Sequence, residues 1–175
     1  REIDALKAEY EALLASLRGV IEEGARAKGF SKDSQRALGE RAKNLLVRGQ
    51  WLCARIEERY LSIYALEEAY KADWIEKRKD LPPEVREDAL VRARDGFRFE
   101  PLIARLEVEQ AALELPAFTG PPGEKKLGRE KLSKEIEVLQ LERSVSLARA
   151  NVRYVEARIG DVKDTDPYVT RLYEE

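Results

Sequence analysis

The side chains of this protein that could take part in catalysis are mainly carboxylates. Adjacent glutamates occur at 22–23, 57–58 and 67–68, and closely spaced carboxylates can hold a divalent cation. A helical magnesium site would need a third acid about one turn further on, but residues 59–61 and 69–71 supply none. We therefore expect these glutamates to lie on solvated helix faces, where they pair with bases such as Lys71.

Other reactive groups are scarce. The chain has no histidine and one cysteine, Cys53, which excludes histidine-based catalytic triads and the common zinc sites. Cys53 lies within a helical pattern, where we expect a small buried apolar residue, and a single cysteine favours a reducing compartment. We predict no catalytic residue, no cofactor and no metal site. An enzyme that works with Glu, Lys, Tyr and Arg alone is the third alternative for function.

The composition is that of a helical protein. The chain has 175 residues and a formal net charge of −2, and this length predicts a single domain over 1–175. More than half of the residues are Ala, Glu, Lys, Leu or Arg, which is typical of long helices and coiled coils. No apolar run is long enough to span a membrane, and no secretory segment opens the chain. We expect a cytoplasmic or virion protein that is not secreted and does not enter a membrane.

The scarcity of thermolabile side chains indicates the growth temperature of the source organism. Asn, Gln, Cys and Met are few, whereas Glu and Arg are abundant. Proteins selected for heat show this bias, because labile side chains are avoided and ion pairs are favoured. We therefore expect a thermophilic source.

Apolar residues recur at intervals of three and four along most of the chain. This period predicts an all-α fold, an elongated helical hairpin or bundle with three long heptad-patterned helices and two short ones. Ser31 is a candidate N-cap, Gly29 suits a left-handed helix end, and Pro83 suits the first turn of a helix. The predicted helices span about 2–28, 32–79, 83–94, 101–115 and 129–159, with a loop at 116–128.

Each long helix carries a heptad seam, a row of apolar positions that a neighbouring helix can cover. The first seam contains Ile3, Leu6, Tyr10, Leu13, Leu17 and Val20. The second contains Ala42, Leu45, Gly49, Leu52, Ile56, Arg59, Ile63, Leu66 and Tyr70, and at Gly49 we expect a close helix approach. The third contains Val138, Leu141, Val145, Ala148, Val152, Val155 and Ile159. Leu132, Ile136 and Leu139 lie on an offset seam, so the apolar stripe shifts face partway along this helix.

The strongest charge feature is a basic stripe on the second helix. Residues 24–56 carry eight basic and two acidic side chains, whereas the first 23 residues carry six acids and three bases. Arginine recurs every seven residues and therefore lies along one helix face. The candidate binding residues are Arg36, Arg41, Lys43, Arg48, Arg55 and Trp51.

Two interpretations of this stripe remain open. The favoured one pairs it with the acidic first helix across an antiparallel hairpin, or with a helix of another subunit. In the other, the stripe follows a phosphate backbone while Trp51 stacks on a base, although a tryptophan at this spacing is more often a core residue.

These features predict a structural or assembly protein rather than an enzyme. We expect it to self-associate, or to bind a partner helical protein, through its coiled-coil-like seams. Phage or virion structural proteins, scaffolding proteins, coiled-coil arms of larger machines and adaptors all belong to this class. The alternative is a nucleic-acid-binding or regulatory protein that uses the basic stripe.

Overall fold

The protein folds into helices. The computed structural model describes residues 1–26, 29, 31–91, 97–118 and 120–165, and within these ranges it contains five helices and no strand. The helices are α1 (Glu2–Arg26), α2 (Lys32–Lys77), α3 (Pro83–Val91), α4 (Glu100–Ala112) and α5 (Pro122–Thr165). The predicted all-α class, with three long and two short helices, is confirmed.

The turn between α1 and α2 follows the capping rules. The Ser34 amide donates a hydrogen bond to Ser31 Oγ at 3.2 Å, and the Gln35 amide donates to the Ser31 carbonyl at 3.0 Å. Ser31 is therefore the N-cap of α2, as predicted. Gly29 has a φ of 114°, a left-handed conformation that glycine adopts without steric cost. The predicted end of the first helix, 27–28, lies outside the described residues.

The two short helices, α3 and α4, begin at or next to the prolines that indicate their first turns, Pro83 and Pro101. In α3 the Arg86 amide donates to the Pro82 carbonyl at 3.1 Å, and the predicted end of this helix at 94 lies outside the described residues. Helix α4 begins at Glu100 and ends at Ala112, earlier than the predicted 115. A tighter turn follows, in which the Leu115 amide donates to the Ala112 carbonyl at 3.1 Å.

The predicted loop at 116–128 is too long and the predicted helix at 129–159 is too short, because α5 begins at Pro122 and continues to Thr165. Proline is favoured in the first turn of a helix, and here the amides of Glu124 and Lys125 donate to the Pro121 carbonyl at 3.0 and 3.3 Å. Glycines further along cost only about 1 kcal/mol each relative to alanine. A glycine ends a helix when its φ turns positive, and among the described glycines only Gly29 has a positive φ.

The chain divides into two compact units. Unit 1 contains Arg1–Leu61 and Leu102–Glu137, and unit 2 contains Ser62–Pro101 and Val138–Glu175. The first part of α2 and the first part of α5 therefore belong to unit 1, and the remainder of each belongs to unit 2.

Unit 1 contains two antiparallel helix pairs. In the first, Leu6 and Leu13 of α1 pack around Leu52 of α2, which is completely buried. A Cβ atom on Gly49 would lie 3.4 Å from Leu13 Cδ2, so the expected close approach is confirmed and α2 runs through this position unbroken.

The second pair joins α4 to the first part of α5. Gln110 Nε2 donates to Ser133 Oγ at 2.7 Å, and Lys125 Nζ lies 2.9 Å from a carboxylate oxygen of Glu114. A Cβ atom on Gly128 would lie 3.3 Å from a Leu113 methyl group. An alanine at this internal position of α5 would therefore require the Leu113 side chain to shift by a few tenths of an ångström.

Unit 2 has a small core. Its buried hydrophobic side chains, among those described, are Ala72, Phe99 and Ala150. Arg143 of α5 lies 2.6 Å from the Glu100 carboxylate at the start of α4. Because two of the three buried side chains are alanines, this core buries little apolar surface.

Candidate functional site

The arginines of the basic stripe contact glutamates of α1. Arg41, Arg48 and Arg55 follow one face of α2 at heptad intervals, and each has its partner on the antiparallel helix. The pairs are Arg41 with Glu23 at 3.6 Å, Arg48 with Glu9, and Arg55 with Glu2 at 3.3 Å. This is the arrangement that the favoured interpretation of the charge pattern describes.

Trp51 and Arg59 belong to the same helix pair. The half-buried Trp51 side chain packs against the core around Leu52. The guanidinium of Arg55 lies 5.7 Å from the Trp51 ring centroid, within the range of a cation–π contact. Arg59, the one charged member of the α2 seam, lies 2.9 Å from the Glu2 carboxylate. Trp51 thus contributes to the core of unit 1 and has one arginine near its ring.

Arg36 and Lys43 complete the predicted stripe and differ from the other members. Both side chains are exposed, and no ion pair within 4 Å joins either of them to another described residue. They lie on the first part of α2, where Lys43 is two positions after the paired Arg41 and Arg36 is five positions before it. The cations of the predicted site therefore fall into two groups. Three arginines form ion pairs with α1, and two cations, Arg36 and Lys43, have no ion-pair partner among the described residues.

Helix α5 carries two parallel seams of opposite exposure. The inner seam is half-buried or buried and comprises Leu132, Ile136, Leu139, Arg143, Ser146 and Ala150. The outer seam is exposed and comprises Val138, Leu141, Val145, Ala148, Val152 and Val155. The side chain of Ile159, which continues the outer seam in the sequence, lies outside the described residues. The outer seam is thus the predicted heptad seam, and it faces solvent.

The exposure of the outer seam is substantial. Leu141 is 60% exposed, and Val152 is 55% exposed. The inner seam includes Arg143 and Ser146, so the more apolar of the two seams is the exposed one. An amphipathic helix normally turns its more apolar face toward the core. The outer seam is therefore an apolar surface that the described part of this chain leaves uncovered.

The α2 seam changes exposure along its length. Gly49 and Leu52 are buried against α1, whereas Leu66 and Tyr70 in unit 2 are 72% and 75% exposed. In unit 2 the helix instead turns Ala65 and Ala72 inward. The change of face leaves a second apolar surface, which comprises Ile63, Tyr64, Leu66, Tyr70 and Trp74.

The reactive groups considered in the sequence form no cluster in the described part of the chain. Cys53 is exposed, so its predicted burial is wrong; the neighbouring Leu52 takes the inward position instead. A hydrogen bond with Cys53 raises the pKa of Tyr10. The described residues contain no group of three or more acids and cysteines placed to hold a metal ion. Glu68 contacts Lys71 and raises the pKa of that ammonium group.

The fold and surfaces define an all-α protein with heptad-patterned helices, two of which expose apolar seams. No described helix combines the length and the apolar character that crossing a membrane requires. Comparison with protein families, curated proteins and solved structures finds no match to this chain.

The sequence already contained a signal for the outer seam. Leu132, Ile136 and Leu139 were recognised as an offset row, and continuation of that row at the same spacing reaches Arg143, Ser146 and Ala150. Two rows on one helix imply that a neighbour covering one row leaves the other open. The offset row of three residues does not by itself indicate which of the two seams is exposed.

Proposed function

We propose that this protein is a structural or assembly component whose exposed helical seams pair with further helices. A single observation carries the proposal: the more apolar seam of α5 is the one exposed to solvent. Large apolar surfaces on soluble proteins commonly mark interaction sites. Heptad spacing makes a helix the best-fitting occupant, because side chains at alternating intervals of three and four interlock with those of a second helix.

The exposed α2 surface supports the same function. Leu66, Tyr70 and Trp74 lie within three turns of one helix and are each more than half exposed. Tyrosine and tryptophan are enriched in protein–protein interfaces, since they combine a large apolar area with a polar group. A protein with two such surfaces can contact more than one neighbour, as an assembly component must.

Several assembly roles fit this description. Virion structural proteins, scaffolding proteins, coiled-coil arms and adaptors all use heptad-bearing helices to join subunits. The lone cysteine, which is exposed, is compatible with a reducing environment such as the cytoplasm. We propose self-association, or binding to a helix of a partner protein, in the cytoplasm or in a virion.

Sedimentation velocity of the purified protein, from micromolar to millimolar concentration and at low and moderate salt, tests the proposal. We expect a defined oligomer whose population rises with protein concentration. Variants Leu141→Lys and Val152→Lys should shift the protein toward the monomer, while the control variant Leu102→Lys, at a half-exposed leucine of α4, should not. A monomer at every concentration would overturn self-association and leave only the binding of a partner helix.

A nucleic-acid-binding function is the second candidate, because Arg36 and Lys43 are exposed cations without an ion-pair partner among the described residues. Reversal of Arg41, Arg48 and Arg55 would also break the α1–α2 ion pairs, so it is a poor test. The double variant Arg36→Glu/Lys43→Glu leaves those pairs intact. Fluorescence anisotropy with labelled duplex DNA and single-stranded RNA should detect no binding if assembly is the function. Binding that the double variant abolishes would favour the second candidate.

A further inference from the structure

We infer that the outer seam of α5 is covered by the outer seam of a second copy of this protein, with the two helices antiparallel. This inference rests on the proposed assembly function and names the partner of one surface. It follows from the two charges that flank the centre of the seam, Glu142 and Arg149, which face each other only in one direction and one register.

The flanking positions are fixed by the heptad pattern. With Val138, Val145 and Val152 as the a positions, Leu141, Ala148 and Val155 are the d positions. The e positions beside them are Glu142, Arg149 and Glu156, each one heptad apart, and Glu135 is the e position one heptad before Glu142.

The two central charges of this flank are available for a partner. Glu142 and Arg149 are exposed, and neither has an ion-pair partner among the described residues. The neighbouring Arg143, which points toward the inner face, is instead paired with Glu100 at 2.6 Å. The e flank of the seam therefore carries one free base, Arg149, between two exposed acids, Glu142 and Glu156.

A two-fold axis between Val145 and Ala148 brings these charges together. In an antiparallel pair each e flank meets the e flank of the other helix, so Glu142 of one copy faces Arg149 of the other. The symmetry repeats this contact, which gives two ion pairs for each dimer. In the same register Val145 faces Ala148 and Leu141 faces Val152, so every core layer is apolar.

The polar flank on the opposite side fits the same register. Ser144 and Asn151 occupy the g positions there, and both side chains are exposed. The two-fold axis places Ser144 of one copy opposite Asn151 of the other. A hydroxyl and a carboxamide can hydrogen-bond to each other, so this side of the dimer carries no charge conflict.

Other arrangements place like charges together. In a parallel pair g positions face e positions, so Glu137 of one copy would face Glu142 of the other. In an antiparallel pair shifted toward the C-terminus by half a heptad, Arg149 would face its own equivalent. Like charges at these positions are unfavourable, and the unshifted antiparallel register avoids both of these conflicts. At the ends of the seam it brings Glu156 of one copy opposite Glu135 of the other, where the ion pair of Glu135 with Lys131 at 3.7 Å offsets part of the repulsion.

The area of the outer seam determines how tightly we expect the dimer to associate. Val138 to Val155 spans about 26 Å of helix, and a helix with its side chains is about 10 Å wide. A standard stable interface buries about 800 Å² on each partner, more than a strip of this size offers. We therefore expect reversible dimers that form as the protein concentration rises through the micromolar range.

Charge reversal at the flanks tests the register. Glu142→Arg and Arg149→Glu should each weaken the dimer about tenfold, because each turns two attractive contacts into repulsive ones. The double variant Glu142→Arg/Arg149→Glu restores both pairs and should associate as the unmodified protein does. Glu11→Arg and Arg18→Glu are matched controls, since these two exposed charges have the same spacing on α1 and should leave association unchanged.

Disulfide trapping tests the direction. In a Cys53→Ala background, Glu142→Cys protein is mixed with Arg149→Cys protein and oxidised. The antiparallel register predicts a crosslinked heterodimer of the two variants. Efficient crosslinking of Arg149→Cys protein with itself would reveal the shifted register and overturn the inference.

Val145→Asp separates the failure of this inference from the failure of the proposed function. Val145 is half exposed, so the variant should fold, which thermal melting by circular dichroism verifies. We expect it to remain monomeric. An oligomer that survives Val145→Asp would overturn the α5 pairing while supporting assembly through another surface. If the unmodified protein is a monomer at every concentration, the α5 pairing and self-association through any surface both fail.

Discussion

Arg48 of α2 donates a hydrogen bond to Glu9 of α1, a residue that precedes it by 39 positions in the chain. The contact lies beside Gly49, where α1 and α2 approach each other closely. Arg41 and Arg55, one heptad to either side, also contact glutamates of α1. The charges of this helix pair therefore align with its apolar contacts, and both fix the same antiparallel register.

The Glu9–Arg48 pair should make a small, salt-sensitive contribution to the free energy of unfolding. A double-mutant cycle with Glu9→Ala and Arg48→Ala should give a coupling energy of about 0.2–1 kcal/mol, since both side chains are partly exposed. The coupling should fall as salt is added. Glu11, which has no contact with Arg48, serves as the control, and an equal coupling for Glu11→Ala with Arg48→Ala would contradict the prediction.

Substitutions at Gly49 should separate helix propensity from packing. Gly49→Ala places a methyl group at an ordinary contact distance from Leu13, so stability should rise by as much as about 1 kcal/mol. Gly49→Leu should reduce stability by about 1–3 kcal/mol, because the larger side chain overpacks the approach of α1. Gly39, with no atom near its added Cβ, is the control, and both substitutions there should be tolerated. Urea unfolding measures the free energy of unfolding of all four variants. Equal effects of leucine at Gly49 and at Gly39 would refute close packing at Gly49.

Leu52 should be the most sensitive position of unit 1. Its side chain is completely buried between Leu6 and Leu13, so Leu52→Ala should lower the free energy of unfolding by about 2–5 kcal/mol. Leu127→Ala, at a residue that is 67% exposed, should change it by less than about 0.5 kcal/mol. The midpoint of urea unfolding, compared at an unchanged denaturant slope, provides the measurement. Similar losses for the two variants would be inconsistent with this core.

Asp80 should titrate below its ordinary range. Arg78 Nε donates to Asp80 Oδ1 at 2.6 Å, and this hydrogen bond lowers the pKa of Asp80 from its usual 3.8. The folded protein thus favours the carboxylate, so the contact stabilises the fold above the ordinary pKa and is lost as the pH falls through the lowered one. Carbon-detected NMR titration of the Asp80 carboxyl group measures this directly. Arg78→Ala should raise the pKa toward 3.8; an unchanged pKa would show that the pair does not form.

The composition predicts resistance to heat. Scarce Asn, Gln, Cys and Met and abundant Glu and Arg are expected to give a melting temperature above the mesophile range of about 45–65 °C. Differential scanning calorimetry at several protein concentrations measures it and also reveals stabilisation by association. A melting temperature inside the mesophile range at every concentration would contradict a thermophilic source.

Local chemistry was sufficient to predict where most helices begin. Ser31 provides an N-cap oxygen, and Pro83 fits a first turn, because both effects depend on residues within one helical turn. The same reasoning misplaces the start of α5, because the prolines and glycines of 116–128 predict a loop that includes Pro122 and Gly128. Neither residue forbids a helix, and contacts such as that of Gly128 with Leu113 lie outside the local sequence.

The sequence by itself determined the all-α class, the heptad seams and the heptad interval of the α2 arginines, since all of these follow from residue type and the helical period. The tertiary structure decided which seams are buried and which charges are paired. Periodicity gives the angle between two rows of side chains on a helix, but burial depends on where a neighbouring helix lies. For this reason Leu52 is buried while Leu66, on the same seam, is exposed, and only the fold assigned Arg48 to Glu9.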